Sequence, residues 1–550
     1  MHIGQLSKER CIVCLFCSLF ESLIARRGPR ERKKNVAKME AFPLCMMIAL
    51  LSVAAYFFIT RLVHGGKYEN WKNSPPGPVG WPILGNLLQL RSSQIHEHLF
   101  KLSKIHGPLF SLKLGPKPVI VAASPEMARI ILKEQEAVFS NHVANETSLV
   151  MSYDATSLVY SPMGTRWRVL RRILNENVFS TRALDNFTPL RKQKVHGLLK
   201  QLYSASSSKN PVNIGEWVFI TVANITSNLT CSKSLFEYTT KEGREMKESL
   251  RELIKLLGTG NVADFFPLFK PFDPQGLKRR TLEIFWKYDA SYEKLIDERL
   301  KEREIGINNN TKKEKGDMLD ALLNYRSDKD VDLRTLSRNM IKSLLSDMFI
   351  ASTETSTSTV EWGMAEILKN SDVHKKIVLE LDQVVGKDRF VEESDIANLP
   401  YLQAAVKEVF RLHPAAPLIT RRSYEACEVS GYHFPKDCVA VVNIWGMARD
   451  PSIWEEPCKF KPERFIGSKI DVKGQDFNLL PFGCGKRICV GWPLAHRTVQ
   501  FYLAAFLHAF EWECPPEVVD NMEEFVGITI QKAKSIIAIP KPRLSTSVYM

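Results

Sequence analysis

Twenty consecutive uncharged, mostly apolar residues run from Ala41 to Thr60, enough to cross ~30 Å of hydrocarbon as one helix. Arg61, His64, Lys67 and Lys72 follow at once, and positive charge on that flank predicts that the bulk of the chain stays cytosolic. A cleaved signal peptide is the alternative, but the stretch is long for one and shows no cleavage site. Beyond residue 86 the apolar pattern predicts a mostly helical fold with small strand patches. Val119-Ile120-Val121-Ala122 reads as a buried strand between Pro118 and Ser124. Thr335 to Lys369 reads as a long helix interrupted by Ser/Thr clusters, and Ile305 to Asp317 as a polar surface loop. No internal repeat and no second large domain is visible.

Between the apolar run and this domain lie four prolines and three glycines within thirteen residues, Ser74 to Asn86. That composition excludes regular structure and makes a stiff, extended connector. The organisation expected is a basic extension over 1–38, a membrane anchor over 39–64, a proline-rich hinge over 65–86 and one catalytic domain over 87–550. Arg26-Arg27 and Arg30 to Lys34 would put strong positive charge on the opposite flank of the anchor, so the natural start is expected at Met39. A plastid-type targeting extension is the alternative, although Glu21 and Glu31 interrupt it.

The formal charge of +14 invites a nucleic-acid partner, but residues 1–38 hold nine Lys/Arg against three Glu. Only +8 is left for the other 512 residues, with no aromatic-studded basic stripe, so no nucleic acid is expected. A mildly basic face suits an anionic membrane or an acidic redox partner better. Eleven cysteines, sparse and irregularly spaced, exclude a disulfide scaffold. The run Cys11, Cys14, Cys17 sits in apolar sequence without a ligand set and reads as incidental.

One cysteine is different. Phe482-Gly483-Cys484-Gly485-Lys486-Arg487-Ile488-Cys489-Val490-Gly491 frames Cys489 with glycines that let backbone pass close to something large and flat. Helix-like sequence follows, so backbone N–H groups can stabilise a thiolate. A buried free cysteine in a turn is the bland alternative. Every fixed position, however, resembles the heme-binding signature of the cytochrome P450 family, F-x-x-G-x-R-x-C-x-G. Three further runs resemble that family in the right order. Trp167-Arg168-Val169-Leu170-Arg171 is similar to its W-x-x-x-R segment. Glu408-Val409-Phe410-Arg411, with Phe460 to Phe465, resembles its E-x-x-R helix and partner motif. Ala351-Ser352-Thr353-Glu354-Thr355-Ser356 resembles its oxygen-activation motif, departing at Ser352, where glycine is usual and lets the helix unwind.

The resemblance covers about residues 75–540 and implies a mainly α fold with small β-sheets, the P450 fold, behind a single N-terminal transmembrane helix. It implies heme b (iron protoporphyrin IX) with Cys489 as iron ligand. Trp167, Arg171, Arg422, Phe482, Arg487 and Gly491 would bind the cofactor, with Arg421 the competitor to Arg422. Glu354 would relay protons and the Thr355 hydroxyl would hold a water beside oxygen. Glu408, Arg411 and Arg464 would form a structural triad. The pocket would draw on Ser148–Leu158, Met348–Ser352, Ala415–Ile419 and Phe525–Ile528, all mainly apolar.

The family's plant microsomal group is the nearest likeness, implying an enzyme of the endoplasmic reticulum membrane, single-pass, with a cytosolic domain. It would take O2 and electrons from NADPH-cytochrome P450 reductase to hydroxylate a small lipophilic plant metabolite, an alkaloid by preference. Oxidative coupling, rearrangement or ring formation, or oxidation of a terpenoid, are the alternatives. A heme sensor without turnover is the non-enzymatic one, opposed by the Glu354–Thr355 pair. Glycosylation sequons start at Asn145, Asn224 and Asn228, among others; a cytosolic domain leaves them unmodified.

Overall fold

The computed structural model describes residues 73–90, 94–237, 240–308, 316–327 and 333–550, with the single positions 47, 50, 51, 53 and 71. The chain divides into two units, Met1–Trp71 and Lys72–Met550, and every described strand belongs to the second. Among the described residues no helix is long and apolar enough to cross a membrane. The spanning helix expected over 41–60 and the extension over 1–38 lie largely outside those residues; Met47, Leu50, Leu51 and Val53 are helical and exposed.

In chain order the elements that matter to the site begin with helix α1, Ile95–His106, and the strands β1, Leu109–Leu114, and β2, Lys117–Ala122. Helices α2, Thr165–Leu174, α3, Ile214–Cys231, α4, Lys241–Gly258, and α5, Leu277–Asn308, follow. Then come α6, Arg338–Lys369, α7, Pro400–Leu412, β3, Leu418–Arg422, and β4, Val439–Asn443. Helix α8, Trp492–Ala509, and the hairpin β5, Glu524–Val526, with β6, Ile530–Lys532, complete the set.

Helix α6 is the axis of the fold, with α3, α7 and α8 packed along it. It is buried on all sides over most of its 32 residues, so it carries no single apolar stripe. Ser337 caps its start, accepting from the Met340 N–H at 3.3 Å, which sets the expected boundary two to three residues later than Thr335. The polar stretch 305–317 opens inside the last turn of α5, and its residues 309–315 lie outside the described ones. The expected strand at Val119–Ala122 is found within β2, which starts at Lys117. In its sheet the order is β1-β2-β4-β3, with β2 and β4 parallel and the other neighbours antiparallel.

The segment 74–86 forms turns and one short bridge, Trp81 to Gly85. Gly85 holds φ +60°, and a Cβ there would lie 2.0 Å from the Lys113 carbonyl oxygen, so the hinge can lie against β1 only with glycine at this point. On α3 the Asn224 side chain is buried and spent: its Nδ2 donates to the Phe236 carbonyl at 2.7 Å and its Oδ1 accepts from the Phe236 N–H at 3.0 Å.

Candidate active site

Cys489 ends a tight loop ahead of α8. Its N–H donates to the Phe482 carbonyl at 2.9 Å, closing the loop on itself. Gly485 sits at φ +67°, and a Cβ there would meet the Glu136 carboxylate at 2.5 Å. The same carboxylate accepts the Lys486 N–H at 3.0 Å, pinning the outside of the loop. The thiol itself is exposed, yet burial pushes its pKa up; the N–H groups of Gly491 and Trp492 and the Arg171 guanidinium pull it back towards the thiolate. A group both accessible and desolvated faces an internal void. Ala351, exposed in the middle of the buried helix α6, faces accessible space in the same way, and Thr355 is half-buried.

Three guanidiniums belong to this region. Trp167, buried on α2, lies between two of them, with the Arg171 Cζ 5.3 Å and the Arg487 Cζ 4.9 Å from its ring. Arg171 donates to the Ile488 carbonyl at 2.9 Å, one residue before the thiol. Arg487 donates to the carbonyls of Ser140 at 2.9 Å and Ser161 at 2.6 Å. The third is Arg421. It is 4% exposed and donates to the Thr420 carbonyl, whereas Arg422 is exposed and reaches Asp437 at 3.9 Å. Arg422 was the expected cofactor arginine; in the fold it points outward, and Arg421 takes the inward place. Alternation along β3 is the physical reason, since Arg421 shares the buried face with Ile419.

His142 was not anticipated. It lies near Arg421 and Arg487, and burial together with those two cations lowers its pKa far below the usual imidazole value. Burial lowers Arg421 and Arg487 to about 10, and no carboxylate contributes to either or to Arg171. Desolvated cations without an acid are costly unless an anion completes them. The site therefore fits a flat, dianionic group: carboxylates at the guanidiniums, a centre that takes sulfur at Cys489.

On α6, Glu354 is 4% exposed, its pKa is raised to about 7 by desolvation, and its Oε2 has no hydrogen-bond partner. The Thr355 hydroxyl donates to the Ala351 carbonyl at 2.7 Å. Asp347, one turn before Ala351 on the same face, is half-buried, and burial raises it to about 7; it accepts from the Val159 N–H at 3.2 Å.

Behind the thiol loop, Glu408 and Arg411 form a bidentate pair at 2.6 and 2.8 Å, and the Arg464 Nε donates to Glu408 at 3.2 Å. Arg411 also donates to the Pro457 carbonyl at 2.8 Å, and Glu408 accepts the Lys461 N–H at 2.9 Å, fixing the strand-poor segment 457–464. Phe410 carries this rigidity to the thiol loop, its ring 5.2 Å from that of Phe482 in an edge-to-face contact.

Residues 75–538 match the family described as Cytochrome P450. The chain belongs to the cytochrome P450 family.

Its relatives are plant P450s. A flavonoid 3',5'-hydroxylase of Solanum melongena is 37% identical over 505 residues, covering 91% of this chain and 96% of its own. A geraniol 8-hydroxylase of Catharanthus roseus is 40% identical over 504 residues, covering 90% and 98%. A ferruginol synthase of Salvia miltiorrhiza is 37% identical, covering 91% and 99%. This P450 is a monooxygenase of plant specialised metabolism, and its cofactor is heme b. The β5–β6 hairpin carries the turn 525–528 expected to line the pocket. It is held to α1 by the Glu524–His96 pair at 3.1 Å and to α4 by the Ile528 N–H on the Ile254 carbonyl at 3.1 Å.

Proposed function

We propose that the enzyme is a membrane-anchored hydroxylase of small lipophilic plant metabolites, fed by NADPH-cytochrome P450 reductase. The observation that carries the site assignment is the accessible, desolvated Cys489 thiol beside Arg171, which belongs with Arg487 and Arg421 to a cluster of guanidiniums that lack an acid. Cys489 would hold the iron; Arg171, Arg421 and Arg487 would hold the propionates, with Trp167 packed between two of those arginines and His142 beside them. Bound there, heme supplies reductive activation of O2, and a thiolate ligand favours O–O cleavage.

The protein's own part is positioning and proton control. Glu354, near neutral pKa and unpaired, can pick up a proton and pass it on at physiological pH. The Thr355 oxygen, its proton spent on Ala351, keeps lone pairs free to accept from a water. Overall, substrate, O2, NADPH and a proton become hydroxylated substrate, water and NADP+.

Three finer assignments have support on the surface and in the pocket. Exposed Arg166, Arg168 and Arg172 on α2, with Lys486 on the thiol loop, suit an acidic reductase face. Val79, Trp81 and Ile83 on the hinge are exposed, as are Leu268 and Phe272. The hinge bridges to Leu114, and Gly115 packs on Phe266, so these apolar groups share one edge, suited to a bilayer. Asp347 offers an acidic contact to an amine, which favours an alkaloid. The relatives named for geraniol and ferruginol make a terpenoid the second class. Microsomal co-expression with reductase, and mass-spectrometric screening of amine-bearing and neutral metabolites, tests this. Turnover confined to neutral hydrocarbons overturns the alkaloid assignment, and no NADPH-dependent product across both classes overturns the hydroxylase.

A further inference from the structure

Ser352 stands where the family's oxygen-activation motif has glycine, and its hydroxyl is committed in two directions. Oγ donates to the Met348 carbonyl at 2.5 Å and lies 2.8 Å from Thr226 Oγ1 on α3. A serine hydroxyl carries one proton. Since that proton lies on Met348, Thr226 must be the donor between the two hydroxyls, and the chain of bonds runs Thr226 to Ser352 to the α6 backbone. Thr226 is 2% exposed, so water does not compete for the bond. The same turn of α6 is tied again three residues on, by Thr355 to Ala351, and α6 remains α-helical throughout this stretch.

We propose that the Ser352–Thr226 pair is a positioning device, clamping the Ala351–Thr355 turn to α3 and thereby governing proton delivery to oxygen. The inference rests on the active-site assignment above. A glycine leaves the turn free to open. Serine with its own back-bond closes the turn locally, and the bond to Thr226 adds a brace from a neighbouring helix. Thr355 sits one turn further along the same helix, so its hydroxyl is held in register with the void only while the turn keeps its shape.

Two readouts test the clamp. In hydrogen exchange on the resting, heme-loaded enzyme, Thr226→Val speeds exchange of the 352–356 amides about fivefold, the factor one buried hydrogen bond is worth, and Ser352→Ala, which also removes the bond to Met348, speeds it at least as much. The double variant goes no further than Ser352→Ala, which has already removed the bond that Thr226→Val removes. Unchanged exchange, or single effects that multiply, overturns the clamp. The second readout is the NADPH-to-oxygen ratio with reductase and no added substrate. One NADPH and one proton reduce O2 to hydrogen peroxide; two NADPH and two protons reduce it to two waters, a route that needs proton delivery. The ratio falls towards one in both single variants and holds in Ser352→Thr, which keeps the hydroxyl. A ratio that does not move while exchange rises reduces the pair to a structural brace and overturns its positioning role. Exchange needs no turnover, so the failure of the monooxygenase assignment would show separately, as a missing thiolate signature under carbon monoxide.

Discussion

Arg421 and Arg422 are neighbours on one strand, yet the first is 4% exposed and the second reaches out to Asp437. Arg421→Gln is expected to weaken heme retention by about tenfold, the scale of one charge-assisted hydrogen bond, measured as the rate of heme loss to a scavenging apoprotein. Arg422→Gln should leave that rate within about twofold of the parent, as expected of an exposed pair. The reverse order would return the cofactor role to Arg422.

Cys489→Ser replaces a thiolate donor with a hydroxyl. The reduced protein under carbon monoxide is expected to lose the red-shifted Soret band of thiolate ligation while its circular dichroism stays native. Persistence of that band in the variant would place the ligand elsewhere.

Glu354 gives a pH prediction with a definite sign. Burial raises its pKa from 4.5 to about 7, so the folded state holds a proton that the unfolded state has already released. Its contribution to stability is complete below pH 4.5 and disappears as pH climbs through 7. Glu354→Gln should therefore flatten the stability profile between those values and gain up to ~3 kcal/mol at pH 8 by chemical denaturation. The same variant should lose turnover by on the order of a hundredfold if Glu354 moves protons. A variant with the parent's pH profile would show that the carboxyl is ionised and paired in the fold.

Glu408 and Arg411 have essentially no solvent access. Removing one partner leaves a buried charge, so Arg411→Leu should cost ~3–5 kcal/mol and yield little heme-loaded protein. Thermal unfolding and the heme-to-protein absorbance ratio measure both. A variant with the parent's midpoint would mean that the pair does not fix the segment behind the thiol loop.

Much of this site was legible because its chemistry is local. Cys489, Arg487 and Gly485 fall within five residues of one another, and Glu408–Arg411 is an i, i+3 pair on one helix. The boundaries of α6 follow from a serine cap and from Asn370. What escaped was set by register and by distance along the chain. One residue's shift on β3 exchanges inside for outside, and the alternation with buried Ile419 was the signal that favoured Arg421. Nothing around His142 marks it in sequence. Thr226 lies 126 residues from Ser352, and only the packing of α3 on α6 brings them together.

Asn224 carries a consequence for topology assays. Its carboxamide is consumed by Phe236 inside the folded chain, so a transferase can reach it only before folding. A sugar at that position would date its own attachment: the domain would have been lumenal, and still unfolded, when the glycan arrived.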